Sequence, residues 1–246
     1  MDAPHLTDRQ AAIIPVMPAA PVTAVLVHSP FLGPASLRPL ADALAALGHP
    51  AVLLDLRPSV VAPPVHQRLI GAFTDAMSDE ALAGPVVLVG HSGAGPLLPA
   101  FADAMEDSVS GLVYLDATLP TPGVSWRDTA PAELYARFRD LGRDGLLPRW
   151  HQWFDIDPLA ALDDTLRAAI ADESPEVPLA FLKEARPTVD WTGRESYVAL
   201  SDAYAAELAQ ARDRGWTVRR LDSHHLAPAT DPEPVAIAVL EVLTAG

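Results

Sequence analysis

The sequence predicts an α/β fold: a mostly parallel central sheet with helices on both faces and a helical lid inserted into it. Three observations carry that prediction. Between residues 21 and 118, short apolar runs rich in β-branched residues alternate with segments whose apolar residues recur at helical spacing, as in a buried parallel sheet crossed by helices. The run Pro85-Val86-Val87-Leu88-Val89 stops at Gly90 and passes through His91-Ser92-Gly93-Ala94-Gly95-Pro96 into a helix-compatible segment. Near Pro120 the alternation breaks, and it resumes only at Ser196. An insertion of that size at the C-terminal edge of the strands would cover a site there. The core is expected over residues 1–118 and 192–246, and the lid over 119–191.

In chain order, Ala11–Met17 reads as an edge strand and Val22–Val27 as a central buried strand. His28-Ser29-Pro30-Phe31-Leu32-Gly33-Pro34 reads as a rigid loop. Leu37–Leu47 carries helical apolar spacing and ends at Gly48. Ala51–Leu56 is the next strand, Pro58–Pro64 a connector and Val65–Ala83 a helix. The strand before Ser92, a helix over Leu97–Met105 and the strand Leu112–Leu115 complete this half. The insertion shows helices at Ala132–Leu141 and Leu159–Ala171, an aromatic piece from Trp150 to Phe154, and no strand. Strand Ser196–Leu200, helix Tyr204–Arg214, strand Trp216–Leu221, a loop with His224-His225 and helix Pro234–Thr244 close the chain.

Composition bounds the function. Half of the 246 residues are apolar, enough for a sizeable core. There is no cysteine, which excludes disulfides, thiolate metal sites and a cysteine nucleophile. The formal charge of −15 disfavours nucleic acid as a partner. No basic, apolar leader and no run of the ~20 apolar residues of a membrane span is visible. The expectation is a cytoplasmic protein of unknown oligomeric state, without a membrane partner.

The stretch around Ser92 carries the chemistry. Gly90 and Ala94 lie two residues either side of Ser92, the G-x-S-x-G pattern with alanine in the last small position. Small neighbours let a sharp turn hold the serine in a strained backbone and lift its hydroxyl above the sheet edge. A rival reading takes Gly90–Gly95 as a dinucleotide-binding turn and Asp116 as its ribose acid. That fingerprint normally opens the first βα unit, whereas two strands precede this one, and it leaves His225 unexplained.

Taken together, Val25-Leu26-Val27-His28-Ser29-Pro30, the turn at Ser92 and His225-Leu226-Ala227-Pro228-Ala229-Thr230-Asp231-Pro232 resemble the α/β-hydrolase superfamily over nearly the full chain. The likeness is to its small lid-bearing branch of serine esterases and hydroxynitrile lyases. The resemblance implies Ser92 as nucleophile, His225 as base and an acid between them in chain order. Asp202, just past the resumed strand, is the first choice, with Asp116 and Asp190 as substitutes; Asp202 also suits a helix N-cap. Gly93 supplies one oxyanion donor. The family's second donor falls on Pro30, which has no N–H, leaving the Phe31 N–H or the Ser29 hydroxyl in its place. Ser29, Trp150 and Trp153 are the expected substrate contacts. His28 and His91 read as structural.

The expected function is cleavage of an ester or thioester of a small hydrophobic acyl substrate through an acyl-serine, with no metal and no cofactor. One alternative is an acyltransferase using the same residues, with an acyl acceptor or carrier protein as partner. Another is a catalytically weak member of the fold that binds a hydrophobic ligand.

Overall fold

The β-branched runs form one six-stranded sheet in this computed structural model, which describes residues 21–80, 82 and 84–244. The edge strand expected at 11–17 lies outside the described residues. In chain order the first half holds β1 (Thr23–Val27), α1 (Arg38–Ala46), β2 (Ala51–Leu53), α2 (Val65–Ser78), β3 (Val86–His91), α3 (Leu98–Ala104) and β4 (Val109–Leu115). The insertion holds α4 (Trp126–Thr129), α5 (Ala132–Leu141), β5 (Leu146–Leu147), α6 (Asp164–Glu173) and β6 (Val177–Pro178). The second half holds β7 (Arg194–Ala199), α7 (Ala205–Asp213), β8 (Thr217–Arg220), α8 (Ala227–Thr230) and α9 (Pro232–Thr244). The sheet order is β2-β1-β3-β4-β7-β8, with every neighbouring pair parallel.

Successive strand residues point to opposite faces, and both faces are buried. Val25, Leu88, Leu112 and Tyr114 pack with Leu69 and Phe73 of α2 and Phe101 of α3. Ala24, Leu26, Val87, Val89 and Val113 pack with Leu40 and Leu44 of α1 and Val235 and Val239 of α9. Layers of helix, sheet and helix follow from continuous apolar runs that have no polar face to offer water.

The departures from expectation have local causes. The second strand ends at Leu53 because the chain then turns to give the Leu56 N–H to His28 Nε2 (3.1 Å). A 3-10 turn covers Ser92–Leu97 before α3 begins, since Pro96 has no N–H for an α-helical ladder. The lid helix starts at Asp164 rather than Leu159 because the Asp163 carboxylate accepts from the Thr165 and Leu166 N–H groups, both at 3.0 Å. The lid also contains a short antiparallel pair, β5 with β6, where no strand was expected.

The lid has its own apolar centre, with Phe138, Leu147, Trp153 and Ile170 packed on Leu32 and Leu226 of the core loops. Two of its carboxylates grip the core. Glu184 accepts from the Val65 (2.8 Å) and His66 (3.0 Å) N–H groups, capping α2 from outside its own sequence. Glu173 accepts from the Ala35 N–H at 2.5 Å.

The tightest backbone approach is at Gly95. A Cβ there would stand 2.1 Å from the Thr118 carbonyl oxygen, whereas one at Gly71 in α2 would meet nothing within 4 Å. Gly95→Ala is therefore expected to cost about 3 kcal/mol or more, and Gly71→Ala to stabilise by about 0.5–1 kcal/mol. Urea midpoints measure both; a G95A protein as stable as the wild type would contradict this packing.

Candidate active site

Ser92 leaves β3 with φ of 59°, a conformation rare outside glycine. The turn is held because the Thr118 N–H donates to the Ser92 carbonyl (3.2 Å). The nearly buried hydroxyl is within hydrogen-bond distance of the Tyr204 hydroxyl (3.2 Å). Tyr204 lies between β7 and α7. Burial pushes its pKa up to about 12, so it stays a proton donor across the neutral range.

His225 comes from the loop between β8 and α8. Its Nδ1 lies 2.8 Å from Asp116 Oδ2. Its ring stacks on Tyr204 (5.3 Å) and on His91 (4.5 Å). His91 Nε2 donates to the His225 carbonyl at 3.0 Å. Burial, with the nearby His225 ring, pushes the His91 pKa down to about 3, so it is neutral at neutral pH. His91 therefore braces the backbone of His225. His28 is also buried and neutral: burial lowers its pKa, Nδ1 donates to the Ser29 carbonyl (2.8 Å) and Nε2 accepts from Leu56.

The acid at His225 is Asp116, not Asp202. Asp116 follows β4 with φ of 42°. Its N–H donates to the Val198 carbonyl (2.7 Å), and the Tyr197 hydroxyl bonds both the N–H and the carbonyl of Ala117, which fixes the turn. Oδ1 accepts from the N–H groups of Leu200 (2.9 Å) and Ser201 (3.0 Å), and Oδ2 from the Ser201 hydroxyl (2.7 Å). Burial alone would raise the Asp116 pKa. The hydrogen bonds and His225 outweigh burial and hold it below the usual carboxylate range. Asp202 is 86% exposed and bonds Arg220 at 2.7 Å, because its turn directs the side chain outward while Ser201 faces Asp116. Asp190 is exposed as well. His224 turns to the Thr230 hydroxyl (3.1 Å).

Ser92 and His225 both line one cavity of about 520 Å³ under the lid, with Gly93, Phe31, Trp150 and Trp153. Two residues expected at the site, Ser29 and Pro30, are not on its wall. The Ser29 hydroxyl accepts from the Phe31 N–H (3.3 Å) and stands beside Gly93, 3.0 Å from where a Cβ there would lie, and Pro30 offers no donor. Among the described residues no hydrogen bond joins Ser92 to His225. Such bonds often form only when substrate is bound. Sequence reasoning missed Tyr204, whose only signal was an aromatic residue soon after the resumed strand. Among the described residues no cluster of metal-ligating side chains is present.

No family model and no curated protein sequence matches the chain. Solved structures do. An extracellular α/β-hydrolase from a Paenibacillus species, described as sharing structural and functional homology with tobacco salicylic acid binding protein 2, is 20% identical with a TM-score of 0.73. The match covers 90% of this chain and 99% of that one. A pyrethroid hydrolase from Sphingobium faniae is 18% identical, with a TM-score of 0.68 and coverage of 92% and 98%. Polyneuridine aldehyde esterase is 18% identical, with a TM-score of 0.66 and coverage of 91% and 100%. The cytoplasmic expectation is corrected by the first of these, an extracellular protein of the same architecture; neither this fold nor the lack of cysteine assigns a compartment. The parallel sheet, the turn at Ser92, the lid and these likenesses together give the chain the α/β-hydrolase fold.

Proposed function

We propose that this protein is a serine hydrolase that cleaves an ester or thioester of a hydrophobic acyl substrate. The observation that carries the reading is the meeting, in one largely apolar cavity, of a serine on a strained turn and an imidazole hydrogen-bonded to a buried carboxylate. Esterase and hydrolase names among proteins of the same fold support it.

In this reading substrate turns the Ser92 hydroxyl from Tyr204 toward His225. Oγ attacks the acyl carbon and its proton passes to His225 Nε2. Asp116 keeps the other ring nitrogen, Nδ1, protonated and stabilises the imidazolium. Collapse of the tetrahedral intermediate expels the alcohol or thiol, which takes the proton back from His225. Water, deprotonated by His225, then attacks the acyl-serine, and the acid leaves as Ser92 regains its proton.

The Gly93 N–H is the first donor to the oxyanion. The Phe31 N–H is engaged by Ser29, so Tyr204, already beside Oγ, is the second donor to the oxygens of the intermediate. Wall residues Trp150 and Trp153 hold the acyl group.

With p-nitrophenyl butyrate as substrate, Ser92→Ala should lower kcat/KM at least about a thousandfold and Asp116→Asn about a hundredfold or more. Asp202→Asn should stay within about twofold of wild type. A D202N loss as large as that of D116N would refute the assignment of the acid. Tyr204→Phe should lower kcat about tenfold to a hundredfold with little change in KM, while Ser29→Ala changes kcat less. Full activity in Y204F would remove the tyrosine from the mechanism.

A further inference from the structure

The cavity holds a charge that the reaction above does not use. Arg186 lies on its wall and is only 5% exposed. Among the described residues its guanidinium makes one side-chain hydrogen bond, to the Thr121 hydroxyl, and has no carboxylate within ion-pairing distance. A guanidinium carries five N–H donors. Burying one for a single neutral acceptor is unfavourable unless an anion arrives to meet it. Burial lowers its pKa with no opposing charge to restore it.

The rest of the molecule makes this placement specific. The chain carries 32 carboxylates and a net charge of −15, yet no Asp or Glu lines the cavity among the described residues. The lid carboxylate Glu184 is engaged by the N–H groups at the start of α2. Beside Arg186 is His66, also on the wall, whose Nδ1 lies 3.4 Å from a Glu184 oxygen. Contacts run from Gly93 to Phe31, from Phe31 to Phe181 (5.7 Å) and from Phe181 to His66 (4.9 Å), so aromatic rings line the route from the serine to this polar point.

We propose that the substrate is an anionic ester: a hydrophobic chain with the scissile bond at Ser92 and a free carboxylate that pairs with Arg186. Monoesters of dicarboxylic acids are the simplest members of this class. The proposal rests on the hydrolase reading for the position of the scissile bond, but the carboxylate subsite can be tested without turnover.

The test is calorimetric binding to S92A of the monomethyl and dimethyl esters of glutaric, suberic and sebacic acids. The best monomethyl ester should bind about tenfold to a hundredfold more tightly than its dimethyl counterpart, as a charge-assisted hydrogen bond allows. Arg186→Met in the S92A background should abolish that preference while dimethyl ester binding is kept, and Arg186→Lys should retain part of it. Equal binding of the two ester classes in S92A would overturn the proposal. So would an R186M effect as large on the dimethyl esters as on the monomethyl ones. Loss of the preference with butyrate hydrolysis intact in the wild type would reject the anion subsite alone; preference without any hydrolysis would reject the hydrolase reading alone.

Discussion

The site depends on one buried carboxylate. Asp116 follows β4, and β4 lies between β3, which delivers Ser92, and β7, which delivers Leu200 and Ser201. A carboxylate at that strand end can be held from one side by backbone N–H groups and face His225 on the other. Desolvating it is unfavourable on its own. Two N–H groups, a serine hydroxyl and an imidazole satisfy its oxygens and keep it ionised. His225 is then fixed twice, through its ring by Asp116 and through its carbonyl by neutral His91.

The same geometry explains what the sequence could and could not disclose. The apolar runs at 22–27, 86–89 and 112–115 could be read as strands because a sheet buried on both faces leaves no polar alternation to confuse them. The Ser92 turn could be read because it needs small residues at fixed places, although the glycine under the hardest steric demand is Gly95, not the Gly90–Ala94 pair. The acid could not. Asp116 and Asp202 each follow a strand, and what separates them is a left-handed backbone at 116 and a turn that points Ser201 inward and Asp202 outward. Neither property has a marker in residue type. Ser29 is no more legible: its hydroxyl accepts from the Phe31 N–H two residues on, a turn of the side chain that residue type does not mark.

The lid contributes as much by where its charges go as by its aromatic rings. Glu173 and Glu184 are turned onto backbone N–H groups of the core, which secures the lid and keeps those carboxylates off the cavity wall. An acidic protein thereby encloses a space in which Arg186 stands among largely aromatic and aliphatic walls. In such a space the pairing of Asp116 with His225 is stronger than it would be in solvent.

The most direct measurement is proton NMR of the His225 Nδ1–H. A hydrogen bond to a buried carboxylate should place this proton far downfield, in a region free of amide signals. The account predicts such a resonance in the wild type and in D202N, and its loss in D116N. A resonance that survives in D116N and disappears in D202N would contradict it.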